Sequence, residues 1–219
     1  MTRIRTFSGG GFGENGYLVD FQESGLGVVI DPGAAASSMA QTIRAEGLSL
    51  EAILLTHGHI DHVEGIPAIR EVAPSAPIYL HPDDRRLYDG VEAQARAFNL
   101  PLAGPLPPPD LEMAHDEVLT FGGCDFQVLL APGHAPGHVM FYLKEEGVAF
   151  VGDVVFQGAI GRADLMGGDF YQLMESIHNQ VLTLPDETRL LSGHGPETTV
   201  GWERRTNPFL VGHFGGDLA

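Results

Sequence analysis

One short segment of the chain concentrates side chains that can bind metal ions. Residues 57–62 are His-Gly-His-Ile-Asp-His, so His57, His59, Asp61 and His62 fall within six residues. Imidazole and carboxylate groups are ligands that suit Zn, Fe or Mn. Side chains of an extended or turning backbone alternate in direction, so His57 and His59 could face one ion while Asp61 and His62 face another. A lone histidine is more often a surface or satisfied core residue, but this spacing directly after an apolar run indicates a metal site.

Three residues further along the chain could complete the set of ligands. His134 lies in the sequence Pro-Gly-His-Ala-Pro-Gly-His, Asp153 in Val-Gly-Asp, and His194 in Ser-Gly-His-Gly-Pro. Taken singly, Asp153 is typical of a helix cap or a turn, and His194 of a solvated loop. Each of the three follows a strand-like run, and their occurrence together favours metal binding.

Short apolar runs that end in turn residues predict the buried strands that must position these ligands. The predicted strands cover residues 27–30, 52–55, 78–80, 127–130, 148–151 and 189–191. Helices are predicted at about 37–46, 66–72, 84–98 and 170–182. This mixture predicts an α/β sandwich with sheets inside and helices outside. Because loops at one edge of a sheet gather where ligands bind, distant residues are expected to converge on one site.

Composition limits the classes of function. The chain has 219 residues, of which 43% are hydrophobic, and we expect one domain that spans 1–219. The net charge of −17 argues against a nucleic-acid partner and against an anionic membrane surface. The single cysteine, Cys124, excludes an internal disulfide. The sequence contains neither a signal peptide nor an apolar stretch long enough to span a bilayer, so a cytoplasmic location is expected.

Residues 100–111 hold five of the 15 prolines and therefore cannot form a helix interior. The segment could be an ordered surface crossover within one domain or a linker between two domains. We favour the crossover, because a linker would separate the ligands of residues 57–62 from those that follow.

The series HxHxDH, PGHxPGH, VGD and SGHGP resembles the metallo-beta-lactamase superfamily over essentially the whole chain. Within it, the chain looks like the glyoxalase II branch, the hydroxyacylglutathione hydrolases. The resemblance implies a four-layered αβ/βα sandwich that binds two divalent metal ions, Zn in the first place, with Fe or Mn as alternatives. Asp31, in an Asp-Pro-Gly turn, would position the ligands without binding an ion, although it could also be a simple turn former.

The resemblance also implies a role for each ligand. One ion would bind His57, His59 and His134; the other would bind Asp61, His62 and His194; Asp153 would bridge both. Two cations that share a water lower its pKa, so a hydroxide could attack a substrate carbonyl at neutral pH without a Ser, Cys or Lys nucleophile. Asp61 and Asp153 are therefore predicted to be catalytic as well as ligating.

Residues 158–164 and 203–210 resemble a compact, bacterial glyoxalase II-like subgroup. Full-length glyoxalase II has a helical C-terminal domain that grips glutathione, and here only about 25 residues follow His194, so we expect that domain to be missing. Arg162 and Arg205 are candidates to bind a substrate carboxylate, and Asn207 is a further candidate for substrate binding. Alternatively, Arg162 forms a structural ion pair with Asp164.

The interpretation we favour is a metal-dependent hydrolase that acts on a small-molecule thioester of the hydroxyacylglutathione type. The main alternative is a persulfide dioxygenase with one iron held by His57, His134 and Asp153. The Gly-Pro pair that follows His194 is typical of the hydrolases, whereas the dioxygenases tend to have Asp-Tyr there. A lactonase or nuclease of the same superfamily and a non-catalytic metal-binding protein are further alternatives. The sequence predicts no particular oligomeric state.

Overall fold

The structure is a computed structural model that describes residues 2–100, 102 and 104–211. Two six-stranded sheets pack face to face, and helices cover the outer face of each sheet. This arrangement confirms the predicted α/β fold class and the four-layered αβ/βα sandwich. Within the described ranges, no helix has the length and apolar character needed to cross a bilayer.

The first sheet comes from the N-terminal half of the chain. Its strands lie side by side in chain order: β1 (Thr2–Gly9), β2 (Glu14–Phe21), β3 (Leu26–Ile30), β4 (Ser49–Leu54), β5 (Ile78–Leu80) and β6 (Leu111–Glu112). Neighbouring strands pair antiparallel from β1 to β3 and parallel from β3 to β6. The helices of this half are α1 (Ala36–Glu46), α2 (Ile60–Val63), α3 (Ile66–Val72), α4 (Arg85–Asp89) and α5 (Val91–Phe98).

The second sheet comes from the C-terminal half. Its strands are β7 (Val118–Phe121), β8 (Cys124–Leu130), β9 (Val139–Leu143), β10 (Val148–Gly152), β13 (Arg189–Ser192) and β14 (Thr198–Thr199). They lie in the order β14-β13-β10-β9-β8-β7. A separate hairpin of β11 (Val155–Phe156) and β12 (Ala159–Ile160) follows β10. The helices are α6 (Phe170–Ser176), which continues as a π-helical turn over Ile177–Val181, and α7 (Val200–Thr206).

Successive side chains of a strand point to opposite faces of its sheet, and this alternation produces the four layers. In β2, Tyr17 and Val19 point into the core between the sheets, whereas Leu18 points outward to the helices of the first sheet. Phe126, from the second sheet, is completely buried in the same central core. Burial of one such apolar side chain contributes about 1.5–3 kcal/mol. Both sheets are thus held rigidly, and so are the loops that leave their strand ends.

The six predicted strands all exist, but two predicted helices differ from the structure. The helix predicted at 84–98 is divided at Gly90 into α4 and α5. Glycine disfavours helix interiors, which explains the break. In the helix predicted at 170–182, the α-helical part ends at Ser176, and the π-helical turn follows it. The prediction also omitted eight strands of the described residues, among them β2, whose apolar pattern is interrupted by buried polar residues such as Glu14 and Asp20.

Two predictions fall partly outside the described residues. The crossover at 100–111 includes residues 101 and 103, which are not described; its described end leads into β6. The single domain over 1–219 includes residues 1 and 212–219, which are likewise not described, and it stays a prediction.

Asp84 ties together two loops that come from the two halves of the chain. Asp84 directly precedes α4 in the chain, and its side chain is fully buried. Oδ2 accepts a hydrogen bond from the Gly58 backbone N–H at 2.7 Å, and Oδ1 accepts one from the Gly137 N–H at 2.6 Å. Burial raises the pKa of Asp84 to about 6, although the two N–H donors oppose this shift. One carboxyl group therefore fixes the loop after β4 against the loop after β8.

We predict that Asp84→Ala destabilises the fold by about 3 kcal/mol, because two buried N–H groups lose their acceptor. Urea unfolding followed by circular dichroism measures the change. The neighbouring Asp83, whose side chain is 66% exposed, provides the matched control, and Asp83→Ala should change the free energy of unfolding little. Equal effects of both substitutions would contradict the role given to Asp84.

Candidate metal centre

The structure brings all seven predicted ligands to one edge of the sandwich. They lie in four loops that leave strands of both sheets: His57, His59, Asp61 and His62 after β4, His134 after β8, Asp153 after β10, and His194 after β13. Residues separated by more than a hundred positions thus become neighbours, because the strand ends of the two packed sheets meet at this edge.

Three histidines form a first group. The potential ligand atoms of His57, His59 and His134 all lie within 4.8 Å of one another. His59 Nδ1 is 2.9 Å from His134 Nε2, and the ring of His57 lies 4.7 Å from that of His59 and 4.9 Å from that of His134. All three side chains are buried. Three imidazole nitrogens that converge in this way match the protein ligands of a zinc-type site.

A second group lies beside the first. Ligand atoms of Asp61, His62 and His194 also lie within 4.8 Å of one another, and His194 Nε2 is 3.4 Å from Asp61 Oδ2. His62 is completely buried, whereas Asp61 and His194 are partly exposed. This group therefore borders solvent more closely than the first does.

Asp153 lies between the two groups. Its Oδ2 is 3.5 Å from His134 Nε2 of the first group and 3.4 Å from His194 Nε2 of the second. Its Oδ1 is 3.4 Å from His62 Nε2. Gly193 passes so close that any side chain there would overlap the Asp153 carboxylate. The position of Asp153 is the one that a carboxylate shared by two ions would need.

Hydrogen bonds orient the histidine rings. Nδ1 of His134 lies 2.7 Å from the carbonyl oxygen of Arg162, and Nδ1 of His194 lies 3.1 Å from that of Phe12. A carbonyl oxygen can only accept, so each Nδ1–H donates, and in the neutral ring the free lone pair is on Nε2. The second nitrogen of each ring thus faces the site in the form that binds a cation.

Asp31 orients two more ligands. Its Oδ1 accepts from the Thr56 N–H at 2.7 Å, and its Oδ2 accepts from the Thr56 hydroxyl at 2.6 Å and from His62 Nδ1 at 3.0 Å. The Thr56 oxygen in turn lies 3.0 Å from Nδ1 of His57, from which it can accept. Asp31 also lies within 4.8 Å of ligand atoms of His57 and His62, but both of its oxygens are already engaged by these donors. Its contacts are those of a positioning residue.

The residues present fit a bound metal. Eight buried side-chain atoms of the described residues have no hydrogen-bond partner, and three of them are on predicted ligands: His57 Nε2, His62 Nε2 and Asp153 Oδ1. Buried polar atoms are nearly always paired, because an unpaired one costs about 1–3 kcal/mol. All three belong to the ligand groups, where a divalent cation would satisfy them.

Electrostatics favours the ligand forms of His57, His59 and Asp153, whereas the carboxylates favour a proton on His194 that a cation would replace. Burial lowers the pKa of His57, and it lowers that of His59 to about 3, so both imidazoles are neutral. Burial alone would raise the pKa of Asp153, but the neighbouring His62 and His194 hold it well below its usual range. Burial would lower the pKa of His194, but its hydrogen bonds with Asp153 and Asp61 raise it to about 10. Carboxylates that hold protons on neighbouring imidazoles attract a cation in the same way.

Two buried residues beside the ligands were missed by the sequence analysis. His138, the second histidine of PGHxPGH, stacks on His57 at 4.7 Å and accepts from the Asp153 backbone N–H at 3.0 Å. The repeated Pro-Gly-His pattern was the available signal. Glu14 is buried, and burial raises its pKa well above the usual value. Nothing in the sequence distinguishes Glu14 from an ordinary strand residue.

The predicted substrate-binding residues divide into two kinds. Arg162 lines the cavity above the ligands, but its Nε and Nη2 each donate to Asp164 at 2.9 Å, so the alternative ion pair is present. Arg205 lies 3.5 Å from Asp186, and neither it nor Asn207 lines that cavity. The buried Asn207 amide donates to the Ala159 carbonyl at 2.9 Å and thereby holds the β11–β12 hairpin. Arg205 and Asn207 therefore lie away from the cavity above the ligands, and their role in substrate binding stays a prediction.

We predict that Asp31→Asn weakens metal affinity by about tenfold to a hundredfold, because the amide cannot accept from all three donors. Asn tolerates the left-handed backbone at this position, where φ is 47°, so the turn should persist. Chelator competition measures the affinity. Asp20→Asn, at a buried carboxylate that pairs with Arg3, is the matched control and should leave affinity unchanged. An unchanged affinity in Asp31→Asn would contradict the positioning role.

Comparison with known proteins agrees with this geometry. The family model of the metallo-beta-lactamase superfamily matches residues 9–194. Hydroxyacylglutathione hydrolase GloC from Haemophilus influenzae is 40% identical over 182 residues, which cover 83% of this chain and 86% of that protein.

Two solved structures share the fold across nearly the whole chain. The crystal structure of BLEG-1 B3 metallo-beta-lactamase has a TM-score of 0.87 and 38% identity, and it covers 96% of this chain and 100% of that one. The crystal structure of TTHA1623 in a di-iron-bound form has a TM-score of 0.85 and 43% identity, with coverage of 94% and 100%. The chain is therefore a metal-dependent hydrolase that belongs to the metallo-beta-lactamase superfamily.

Proposed function

We propose that the chain hydrolyses small-molecule thioesters, with the hydroxyacylglutathione type as the first class to test. The observation that carries the proposal is the place of Asp153, whose Oδ2 lies 3.5 Å from His134 Nε2 and 3.4 Å from His194 Nε2. A carboxylate in contact with both groups favours two ions over one. The name of the relative from Haemophilus influenzae supports thioester hydrolysis in particular.

The ligand groups described above would hold the two ions. His57, His59 and His134 would bind one, Asp61, His62 and His194 the other, and Asp153 both. Two bound divalent cations would supply the Lewis acidity that activates a water and a substrate carbonyl. Zn is the metal we propose, and the same imidazole and carboxylate ligands also accept Fe or Mn. A related structure with two irons supports Fe as the first alternative.

The side chains of the site orient the reactants. Asp61 lines the cavity and would accept a hydrogen bond from the attacking water, which fixes the direction of its oxygen. The water oxygen bonds to the carbonyl carbon, the C–S bond breaks, and the thiol sulfur takes up a proton as the acid forms. Asp31 and His138 would act only by holding His57, His62 and Asp153 in place.

Hydrolysis of S-lactoylglutathione by protein of measured metal content tests the proposal directly. We expect about two metal equivalents per chain and release of free thiol. One iron per chain, with oxygen uptake on glutathione persulfide and no thioester hydrolysis, would instead establish the dioxygenase alternative.

We predict that Asp153→Ala lowers kcat/KM by at least about a thousandfold, because the two groups lose the carboxylate they share. Metal content should fall in the same preparation. Asp186→Ala removes an exposed carboxylate that pairs with Arg204, and it should change neither quantity. Retention of turnover in Asp153→Ala would refute the bridging role.

A further inference from the structure

A cavity of about 520 Å³ opens directly above the candidate metal centre. Its floor includes His59, Asp61, His134, Asp153 and His194. Its walls are largely apolar and include Ile60, Leu87, Phe98, Phe156, Leu165 and Met166. A substrate whose carbonyl reaches the floor must therefore place the rest of its structure against these walls.

The polar wall residues are already engaged within the protein. The Gln94 amide donates to the carbonyl oxygens of Gly58 and Leu87 and accepts from the Ile60 N–H. Arg162 is paired with the carboxylate of Asp164, which balances its charge. Among the described wall residues, none offers an unbalanced positive charge to a substrate carboxylate. Glutathione carries two carboxylates and one ammonium group, so these walls complement it poorly.

Two aromatic rings mark the rim of the cavity. Phe12, in the loop between β1 and β2, and Phe98, at the end of α5, meet edge to face with ring centroids 5.8 Å apart. Their exposed fractions are 48% and 44%, although both are large apolar side chains. Exposed aromatic rings beside an apolar cavity indicate a surface that an apolar ligand covers. The Phe12 carbonyl also accepts from His194, so this loop connects the rim to the ligands.

We propose that the preferred substrates are thioesters whose distal part is an uncharged apolar chain, which lies against the cavity wall and Phe98. This inference rests on the proposed thioesterase function and narrows its substrate class. The apolar part of the substrate could belong to its acyl group or to its thiol, and both would present the same chemistry to the cavity walls.

Two series of substrates test the proposal and separate these two sources. The first varies the acyl group on N-acetylcysteamine from acetyl to hexanoyl and includes the charged succinyl thioester. The second joins a constant lactoyl group to ethanethiol or hexanethiol. Because each buried methylene favours binding by about fourfold at most, we expect kcat/KM to rise at least about tenfold with chain length in one series. A change below about twofold in both series would overturn the proposal.

The variant Phe98→Ala should reduce this preference for longer chains by about fivefold or more, since truncation of the ring removes part of the wall. Phe170 provides a matched control, because it is also 44% exposed and meets Tyr171 edge to face at 5.8 Å, yet it does not line the cavity. Phe170→Ala should keep the preference. Equal ratios of long-chain to short-chain kcat/KM in the two variants would overturn the role of Phe98.

A binding measurement separates failure of this inference from failure of the proposed function. The hexyl and ethyl thioethers of N-acetylcysteamine have no carbonyl next to sulfur and cannot be hydrolysed as thioesters. By calorimetry we expect the hexyl compound to bind wild type at least about tenfold more tightly than the ethyl compound, with a negative heat-capacity change. If it does and no thioester is cleaved, the proposed function is wrong and the apolar subsite stands.

The opposite pattern would reject the inference alone. Three results together would show this: thioesters are hydrolysed, the two thioethers bind equally, and S-lactoylglutathione is preferred over the lactoyl thioester of hexanethiol. In that case the apolar subsite is wrong. Loss of that glutathione preference in Arg162→Ala would then assign recognition to the guanidinium group instead.

Discussion

The metal centre depends on an unfavourable convergence of lone pairs that the fold enforces. Among the described residues, His57 Nε2, His62 Nε2 and Asp153 Oδ1 are buried and unpaired. Without a cation these atoms cost free energy, because burial removes their water and nothing replaces it. The surrounding hydrogen bonds prevent the rings from turning away. These unpaired ligand atoms therefore destabilise the structure, and bound divalent cations would remove that cost.

Two packed sheets make this convergence possible. Each sheet alone places only part of the ligand set at its edge, since His57 follows the first sheet and Asp153 and His194 follow the second. The central core between the sheets fixes their separation, and Asp84 joins the loops of both halves. The apolar cavity lies where the loops leave room above the ligands. The same loops would thus determine where the ions bind and where the substrate enters.

The sequence predicted the local parts of the site better than the long-range ones. The spacing of residues 57–62 and the strand before it are local, and they indicated ligands that the structure brings together. Asp84 was assigned only to a helix, because its two partners lie 26 and 53 positions away. The contacts of Asn207 were not foreseen for the same reason: its burial against the β11–β12 hairpin depends on tertiary packing. Contacts of this kind leave no periodic pattern in the chain.

Anomalous diffraction from crystals of the metal-loaded protein tests the central claim most directly, since it locates each ion without reference to turnover. We expect two peaks, one among His57, His59 and His134 and the other among Asp61, His62 and His194, with Asp153 in contact with both. A single peak, or peaks away from these residues, would contradict a binuclear centre held by the seven ligands.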